Sequence, residues 1–483
     1  MPLTPVNQIE LSYSPDSTLL FASIRARPYP VFLDSSGYGG KFGRFDILCA
    51  DPTQLLIHQD SQTLLIQQDG KTEKLSQPPF SALQQLLLKQ GFDAISSPEL
   101  PFCGGAMGYF GYDLGRCYVP LASHAEDDIT LPQMQVGIYP WSIIVDHQKH
   151  KTTLASHSLT VSQLRTLADS FTPLQPRAFR LDSAFLANMD RDAYLGRFQR
   201  VIDYIHAGDC YQVNLAQRFS CDYQGDPWSA YLKLRKQTNT PFSAYMESPQ
   251  GCLLSLSPER FLQVADGQVE TRPIKGTRPR HPQQDKDLKL KTELETSTKD
   301  RAENLMIVDL LRNDLGRSCS TGSVKVPELF KIESYANVHH LVSAITGTLD
   351  NPIEVIDLLQ GCFPGGSITG APKIRAMQII EELEPHRRSA YCGAIGYIGF
   401  NGQMDSNICI RTLVATRDNA TDRTHIDRDH DKHKGKLHCW AGGGIVADSN
   451  GDAEYQETFD KVNNLIRCLE DEFFSTTESP VVS

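Results

Sequence analysis

The chain has 483 residues, of which 40% are hydrophobic and 22% charged, and its formal net charge is -11. This length exceeds the size at which a single core usually stops growing, so two cores or one large two-part assembly are expected. The acidic balance argues against a bulk nucleic-acid partner. No window approaches the roughly 20 apolar residues that span a bilayer, and the first ten residues do not resemble a leader, so we expect a cytoplasmic protein.

The first part of the chain, from Leu11 to Ser158, is predicted to be mostly β structure, because short apolar or alternating runs are separated by Gly-rich turns. One helix is expected near Phe80–Lys89, where apolar residues recur at helical spacing. The Pro-containing stretch from Ser170 to Asp182 follows neither period. It divides the chain into predicted regions 1–170 and 185–472.

Beyond this boundary, helices and strands alternate irregularly, without the regular βαβ order of a doubly wound sheet. Helices are predicted at Asp190–Ala207, Lys299–Leu315, Pro352–Leu359, Pro372–Glu384 and Tyr455–Phe473. Strands are predicted at Tyr211–Phe219, Ser243–Met246, Cys252–Leu256, Phe261–Ala265, Ala390–Phe400, Met404–Ala415 and Leu437–Ala441.

Three other features of the sequence also carry predictions. The polar segment from Arg417 to Lys436 is predicted to be a solvated hairpin loop, with metal binding through its histidines as the alternative. The tail 473–483 is predicted to be disordered. The twelve scattered cysteines contain no C-x-x-C pair, which indicates reduced core thiols.

A short basic segment, Arg-Pro-Ile-Lys-Gly-Thr-Arg-Pro-Arg from Arg272, is the strongest candidate for chemistry. Its two prolines disfavour helix, and Gly276 gives close backbone access, so Lys275 lies on a strand or loop that a substrate can approach. The neighbouring arginines are expected to lower the pKa of Lys275 and favour a nucleophilic free amine. The alternative is a basic surface loop.

Carboxylates form the next candidates. Glu259 begins an apolar strand, where partial burial is expected to raise its pKa and make it an acid; a salt bridge to Arg260 or Arg272 is the alternative. Asp300 with Glu303, and Glu454 with Glu457, are spaced i, i+3 on predicted helices. Such pairs suit Mg²⁺, but by themselves they do not establish a metal site, because exposed carboxylates on helices are common.

Two Gly-rich stretches are predicted to be turns whose N–H groups face an anion. The run Gly-Gly-Ser-Ile-Thr-Gly-Ala-Pro-Lys from Gly365 lacks the Walker spacing and is predicted to open the helix at Pro372. The second runs from Trp440 to Val446. An ordinary tight turn is the alternative for both.

These motifs together resemble the chorismate-using enzymes, which include anthranilate, isochorismate and salicylate synthases. The resemblance covers nearly the whole chain. It rests on Tyr-Gln-Val-Asn-Leu from Tyr211, Ser-Pro-Glu-Arg-Phe from Ser257, Lys-Asp-Arg-Ala-Glu-Asn from Lys299, Val-His-His-Leu-Val-Ser from Val338, Phe-Pro-Gly-Gly-Ser-Ile-Thr-Gly from Phe363, Ile-Arg-Thr from Ile410, and Gly-Gly-Gly-Ile-Val-Ala-Asp-Ser from Gly442.

The resemblance implies a mixed α/β (α+β) fold in which two large β-sheets form a sandwich flanked by helices, with a Mg²⁺-chorismate site between them. Region 185–472 would be catalytic. Glu303 and Glu457 match metal ligands, with Asp300 and Glu454 in support. The positions that match substrate contacts are Gln212, Thr277, His339, Thr369, Arg411, Gly442, Gly443, Gly444 and Lys461.

Two positions separate the branches of this family. Relatives that add water have a lysine where this chain has Gln212, and anthranilate synthases generally have alanine at position 275. Lysine there marks the branch that aminates chorismate at C4. The expected product is 4-amino-4-deoxychorismate, a precursor of p-aminobenzoate and folate, formed through a Lys275-bound intermediate with Glu259 as the acid.

The expected partner is a separate glutamine amidotransferase subunit that supplies ammonia, because no Cys/His glutaminase signature is apparent in the chain. An anthranilate synthase component I with lysine at 275 is the nearest alternative. A non-catalytic chorismate or tryptophan sensor is the second. It is disfavoured because a sensor needs neither a nucleophile nor an acid.

The N-terminal region resembles the tryptophan pocket of these relatives, although Leu-Asp-Ser replaces the common Leu-Glu-Ser. A bound L-tryptophan is implied, with ordinary packing between the sheets as the alternative. The matching positions are Ser35, Phe42, Gly43, Arg44, Phe45, Pro241, Phe242 and Ser243.

Overall fold

Two large β-sheets with flanking helices make up the computed structural model of this protein. The structure describes residues 4–37, 42–92, 95–96, 99–335, 338–418 and 433–474. A mixed α/β sandwich is therefore confirmed.

The helices are α1 (Thr18–Ile24), α2 (Pro79–Lys89), α3 (Val161–Asp169), α4 (Arg191–His206), α5 (Pro227–Thr238), α6 (Gln284–Thr296), α7 (Thr298–Gly316), α8 (Val355–Cys362), α9 (Lys373–Leu383) and α10 (Gly451–Phe473). Short 3-10 helices occupy Tyr112–Cys117, Pro352–Glu354 and Gly366–Ile368.

The strands before residue 170 are β1 (Thr4–Pro5), β2 (Asn7–Leu11), β3 (Val31–Asp34), β4 (Phe45–Cys49), β5 (Gln54–Gln59), β6 (Gln62–Gln67), β7 (Thr72–Leu75), β8 (Ile95–Ser96), β9 (Gly105–Phe110), β10 (Met134–Tyr139), β11 (Trp141–Asp146) and β12 (Lys151–Ser156). Those after it are β13 (Phe179–Leu181), β14 (Leu186–Ala187), β15 (Gln212–Gly225), β16 (Phe242–Ser248), β17 (Gly251–Ser257), β18 (Arg260–Ala265), β19 (Gln268–Thr271), β20 (Ile274–Pro279), β21 (Lys325–Ser334), β22 (Val338–Thr348), β23 (Gly370–Ala371), β24 (Ala394–Gly399), β25 (Met404–Ile408), β26 (Thr412–Thr416) and β27 (Lys434–Ile445).

Each large sheet combines strands from both sides of the segment 170–182. The first sheet runs β20-β22-β19-β18-β25-β24-β9-β10-β5-β6-β7, with β21 on β22. The second runs β13-β15-β27-β26-β17-β16-β3-β4-β11-β12-β2, with β14 and β23 on β15. Neither predicted region forms a large sheet by itself. The boundary between regions 1–170 and 185–472 therefore stays a prediction about function.

Amphipathic helices cover these sheets as their periodicity predicts. The Asp190 side chain caps α4 by accepting from the Ala193 amide, and Tyr194, Phe198 and Val201 form its buried stripe. Asn450 caps α10 in the same way. The helices predicted near the positions of α2, α4, α7, α8, α9 and α10 are confirmed.

One predicted strand is wrong in a way that bears on the site. The stretch predicted as a single strand from Met404 to Ala415 is two strands in different sheets, β25 and β26. The chain turns between them at Arg411, whose φ of 50° lies in the left-handed region that ends an extended run.

The Gly-rich stretch from Trp440 to Val446 is also not a turn. Its three glycines lie inside β27, where Gly442, Gly443 and Gly444 pair with Ala216, Leu215 and Asn214. The turn prediction was wrong because a glycine run also fits a strand that other groups approach closely.

Part of the predicted hairpin loop 417–436, residues 419–432, lies outside the described residues, as does the tail 475–483. The flanks of the loop belong to the sheet: Arg417 is buried and bonded to Glu247, and Lys434 begins β27. Eleven of the twelve cysteines are buried; Cys117 is exposed. No helix among the described residues is both long and apolar enough to cross a membrane.

Candidate active site

A cavity of about 680 Å³ lies where the two sheets meet helices α7 and α10. Its polar lining combines basic and acidic side chains from distant parts of the sequence. These are Glu259, Lys275, Arg278, Lys299, Asp300, Glu303, Arg411, Glu454, Glu457, Asp460 and Lys461.

Glu259 and Arg411 reach the cavity because the chain changes sheets at each of them. Glu259 lies between β17 and β18, and Arg411 between β25 and β26. The two crossings are joined by backbone hydrogen bonds: the Ile408 amide donates to the Glu259 carbonyl (3.0 Å), and the Leu256 amide to the Arg411 carbonyl (3.0 Å). The backbones at Glu259 and Arg411 are therefore tied to one junction.

Lys275 reaches the cavity from an irregular stretch of β20. The register of β20 against β22 shifts between Ile274 and Thr277, and Gly276 has a φ of 87°. Such an irregularity redirects a side chain that a regular strand would place elsewhere. The Nζ atom of Lys275 donates a hydrogen bond to the Ser367 carbonyl (3.2 Å).

Desolvation within the cavity lowers the pKa of Lys275, although the Glu259 and Glu303 carboxylates oppose this change. The predicted direction is confirmed, but the predicted cause is wrong. The arginines of the segment are paired with carboxylates: Arg272 with Glu333 (2.6 Å) and Arg278 with Glu293 (2.8 Å). Their charges are compensated locally, and desolvation favours the neutral amine.

Glu259 is buried, and this burial raises its pKa to about 7. Ser367 Oγ donates to its Oε1 atom (3.3 Å). The alternative salt bridge to Arg260 is wrong, because Arg260 pairs with Asp405 (2.9 Å) on the other side of the strand. A carboxyl group with this pKa is protonated in a large fraction of molecules near neutral pH and can act as an acid.

Ser367 connects the two candidate catalytic groups, since its carbonyl holds Lys275 and its hydroxyl holds Glu259. The sequence placed Ser367 in a Gly-rich turn but gave no sign of this contact. Both bonds depend on how the 3-10 helix Gly366–Ile368 is held against the sheet junction.

Four carboxylates form one wall of the cavity: Asp300 and Glu303 on α7, and Glu454 and Glu457 on α10. A Cβ atom on Gly443 would lie 2.7 Å from Glu454 Oε2, so α10 approaches β27 only because position 443 carries no side chain.

Burial raises the pKa of Glu303 and of Glu454, and neighbouring carboxylates raise both further. Among the described residues no three acidic, histidine or cysteine side chains converge into a complete metal site. The wall nevertheless fits Mg²⁺, which often takes only one or two protein carboxylates together with water and substrate oxygens.

Arg411 provides the complementary group. Its guanidinium forms no salt bridge in the described parts of the chain, and desolvation lowers its pKa. Lys461 Nζ donates to the Gly442 carbonyl (2.8 Å) and pairs with Glu457 (2.6 Å). A half-buried arginine without an acidic partner is suited to receive an anionic ligand.

Three predicted substrate positions lie behind the cavity lining. His339 bonds Ser334 Oγ (2.8 Å) and Asp287, whereas the lining residue is His340. Neighbours on a strand face opposite sides, and a His-His pair does not reveal which side is which. His340 Nδ1 bonds Thr277 Oγ1 (2.9 Å), and Thr277 lines the cavity as predicted.

The other two positions support the lining from behind. Thr369 Oγ1 donates to the Gly365 carbonyl (2.9 Å) within its own turn. The Gln212 amide is buried, and a Cβ atom on Gly444 would lie 2.9 Å from its Cδ. The helix at Pro372 also lies outside the lining, since this turn contributes only Ser367 and Ile368.

A second cavity, of about 330 Å³, collects the residues predicted for a tryptophan pocket. Arg260 Cζ lies 5.1 Å from the Phe42 ring centroid and 4.9 Å from that of Phe242, a cation-π arrangement. Gly43 lies in the chain beside this lining. The predicted residues that line it are Ser35, Phe42, Arg44, Phe45, Pro241, Phe242 and Ser243.

Comparison with known proteins identifies the family. The profile of chorismate binding enzymes matches residues 31–467. The chain belongs to the chorismate-binding enzymes. The predicted family is thereby confirmed.

Individual members of the chorismate-binding family are similar over nearly the whole chain. Aminodeoxychorismate synthase component 1 of Escherichia coli K12 is 48% identical over 93% of this chain and 95% of its own length. The Salmonella typhimurium LT2 protein of the same name is 48% identical over 96% and 98%. The crystal structure of anthranilate synthase component I from Streptococcus pneumoniae matches with a TM-score of 0.75 at 30% identity, covering 88% of this chain and 92% of that one.

The raised pKa of Glu259 predicts a pH-dependent effect of Glu259→Gln on stability. Between about pH 4.5 and 7, unfolding lets this carboxyl ionise, so the free energy of unfolding of the unmodified protein falls as pH rises. Glutamine does not ionise. The variant should gain stability relative to the parent between pH 5 and pH 8, by at most about 3 kcal/mol, as measured by urea unfolding.

Glu73→Gln is the matched control, because Glu73 lies on the exposed part of β7 and forms no ion pair among the described residues. Its stability difference from the parent should not change with pH. A Glu259→Gln difference that is equally flat would contradict the raised pKa.

Proposed function

We propose that this chain converts chorismate and ammonia to 4-amino-4-deoxychorismate, the activity named in its aminodeoxychorismate synthase relatives. The observation that carries the proposal is the meeting of Lys275 and Glu259 at Ser367 inside one cavity. The product is a precursor of p-aminobenzoate and folate.

Chorismate carries two carboxylates, and the cavity offers cationic side chains to receive them. Arg411 is the stronger receptor because it has no acidic partner among the described residues. Lys461 and the glycines Gly442–Gly444 line the same side. His340 and Thr277 add a hydrogen-bonded pair at the edge of β22 and β20.

In the first step, the neutral Nζ of Lys275 forms a bond to ring carbon C2, the ring double bonds shift, and the C4–O bond breaks. Glu259 gives its proton to the departing hydroxyl, which leaves as water. In the second step, ammonia forms a bond to C4, the double bonds shift back, and Lys275 leaves as the free amine. The Glu259 carboxylate then takes a proton from the new ammonium group.

The carboxylate wall is proposed to hold Mg²⁺ through Glu303 and Glu457, with Asp300 and Glu454 behind them. When bound, this ion would neutralise a substrate carboxylate against the acidic wall. The support is the donor set: carboxylates that raise each other's pKa are better satisfied with a cation between them.

Ammonia is proposed to come from glutamine through a separate amidotransferase subunit. The relatives are named as component 1 of their synthase, which implies a further component. In the described chain, Cys117 Sγ lies 3.2 Å from His58 Nε2. Desolvation by the surrounding side chains raises the pKa of the Cys117 thiol, although the residue is exposed, and lowers that of His58; both groups then favour their neutral forms, which argues against a thiolate nucleophile. The cytoplasmic location stays a prediction.

An anthranilate synthase remains the nearest competing function, since the Streptococcus pneumoniae structure has this fold. The position of Lys275 in the cavity favours the C4-aminating reaction. With chorismate, Mg²⁺ and ammonium, we expect a product that yields p-aminobenzoate only after a lyase is added. Rapid anthranilate fluorescence without the lyase would contradict the proposal.

The covalent step predicts a mass adduct at Lys275. Incubated with chorismate and Mg²⁺ without ammonia, the protein should gain the mass of chorismate less one water, and added ammonium should discharge it. Lys275→Ala should form no adduct and lose product formation, because alanine has no nucleophile. Intact-mass spectrometry and product analysis measure both effects.

Lys289→Ala, which removes an exposed lysine of α6, is the control and should form the adduct normally. An adduct that persists in Lys275→Ala, or no adduct in the parent, would contradict a covalent intermediate at Lys275.

The proposed metal ligands predict a changed Mg²⁺ requirement. Glu303→Gln and Glu457→Gln should each raise the Mg²⁺ concentration for half-maximal activity about tenfold or more, because an amide oxygen carries no charge for the ion. Glu295→Gln, on the exposed face of α6, should leave the requirement unchanged. An unaltered requirement in both cavity variants would remove the wall as the metal site.

The second cavity is proposed to bind L-tryptophan, supported by its size and aromatic and charged lining. Free L-tryptophan should raise the thermal unfolding temperature, because a ligand that binds only the folded state stabilises it. Phe242→Ala should weaken this shift, and Phe185→Ala, outside the cavity, should not. If no shift occurs in the parent and dialysis detects no bound tryptophan, ordinary packing is the correct interpretation.

A further inference from the structure

Asn214 is a lining residue of the larger cavity to which the proposed mechanism gives no role. It lies on β15, and most of its polar atoms are engaged. Its backbone N–H donates to the Thr369 carbonyl (2.8 Å), and its backbone carbonyl accepts from Arg388 Nη2 (2.6 Å). In the side chain, Nδ2 donates to the Ile368 carbonyl (2.8 Å). Three bonds thus hold both the backbone and the side-chain amide in one orientation.

The support behind Asn214 is itself rigid. The buried Arg388 pairs with Glu384 (2.6 Å) and donates a further bond to the Ile368 carbonyl (3.1 Å). Glu384 accepts from the Ala216 amide on the same strand (2.8 Å). The Asn214 side chain therefore cannot rotate without breaking bonds to the turn that carries Ser367.

The Oδ1 atom of Asn214 is left without a hydrogen-bond partner, although the residue is only 7% exposed. An unpaired buried acceptor is costly, so this atom calls for a donor when the cavity is filled. Among the described lining residues, the other buried side-chain polar atom without a hydrogen-bond partner is Trp440 Nε1, which can only donate. Asn214 is the acceptor of the pair.

We propose that Asn214 Oδ1 accepts an N–H bond of ammonia and holds the nucleophile for its attack on C4. The proposal rests on the proposed function, in which ammonia is the co-substrate. Asn214 and Lys275 donate to successive carbonyls, of Ile368 and Ser367, in one 3-10 helix. Ammonia at Asn214 therefore lies on the same turn as the lysine that it displaces.

The neutral amide suits this task better than a carboxylate would. Only neutral ammonia has the free electron pair that forms the C–N bond, and a negative group would instead stabilise ammonium. Asn214 takes no proton in the step. The proton released after C–N bond formation passes to the Glu259 carboxylate, which lost its own proton to the departing water.

The test separates ammonia binding from lysine chemistry in the full chain. With saturating chorismate and Mg²⁺, the KM for ammonium should rise about tenfold in Asn214→Ala, the effect of one lost hydrogen bond. Asn214→Ala also removes the Nδ2 bond to Ile368, so formation of the Lys275 adduct without ammonia is measured in the same variant and should fall by a much smaller factor than the KM rises. Asn188→Ala, which removes an amide outside the cavity, should change neither quantity.

A second variant keeps the proposal testable if Asn214→Ala fails to fold. Asn214→Asp keeps an acceptor oxygen but adds charge and loses the Nδ2 donor to Ile368. Its rate at saturating ammonium should fall near neutral pH and recover at higher pH, where ammonia is free, whereas loss of the Ile368 bond alone would lower the rate equally at all pH values. An unchanged ammonium KM, an adduct rate that falls in parallel, or an Asp variant with the parent's pH profile would overturn the proposal. A parent that forms neither adduct nor aminated product would instead refute the proposed function.

Discussion

The sheet junction at Glu259 and Arg411 is the constraint on which the rest of the site depends. At this place two strands of the second sheet continue into two strands of the first, and backbone hydrogen bonds tie the crossings together. Ser257 Oγ adds a bond to the Ile408 carbonyl (2.6 Å). The backbones at Glu259 and Arg411, 152 positions apart in sequence, are thereby tied to one junction.

One physical cause, desolvation, prepares both candidate catalytic groups. It raises the pKa of Glu259 and lowers that of Lys275, so each is moved toward the neutral form that its step requires. The opposite charges of the pair limit both changes. Ser367 holds the two groups through different atoms, and in the proposed mechanism this would let the lysine act at C2 while the acid acts at C4.

Much of this could be predicted from residue patterns, and the failures have physical reasons. The periodicity of α4 and α10 is strong because each buries one apolar stripe, whereas α6 buries only Leu294 and has no stripe to detect. Lys275 and Glu259 were found through motifs. His340 and Asn214 were missed as lining residues, because residue type does not reveal which strand face meets a cavity or which amide oxygen lacks a partner.

Strand β18 separates the two cavities by a single step along the chain. Glu259 immediately before it faces the larger cavity, and Arg260 at its start lines the smaller one. Because consecutive residues of an extended chain alternate sides, deleting the residue before Glu259 would place Arg260 in the position of the acid and Phe261 in the position of the guanidinium. Residues of this segment can therefore be substituted, but its length is constrained because it lines both cavities.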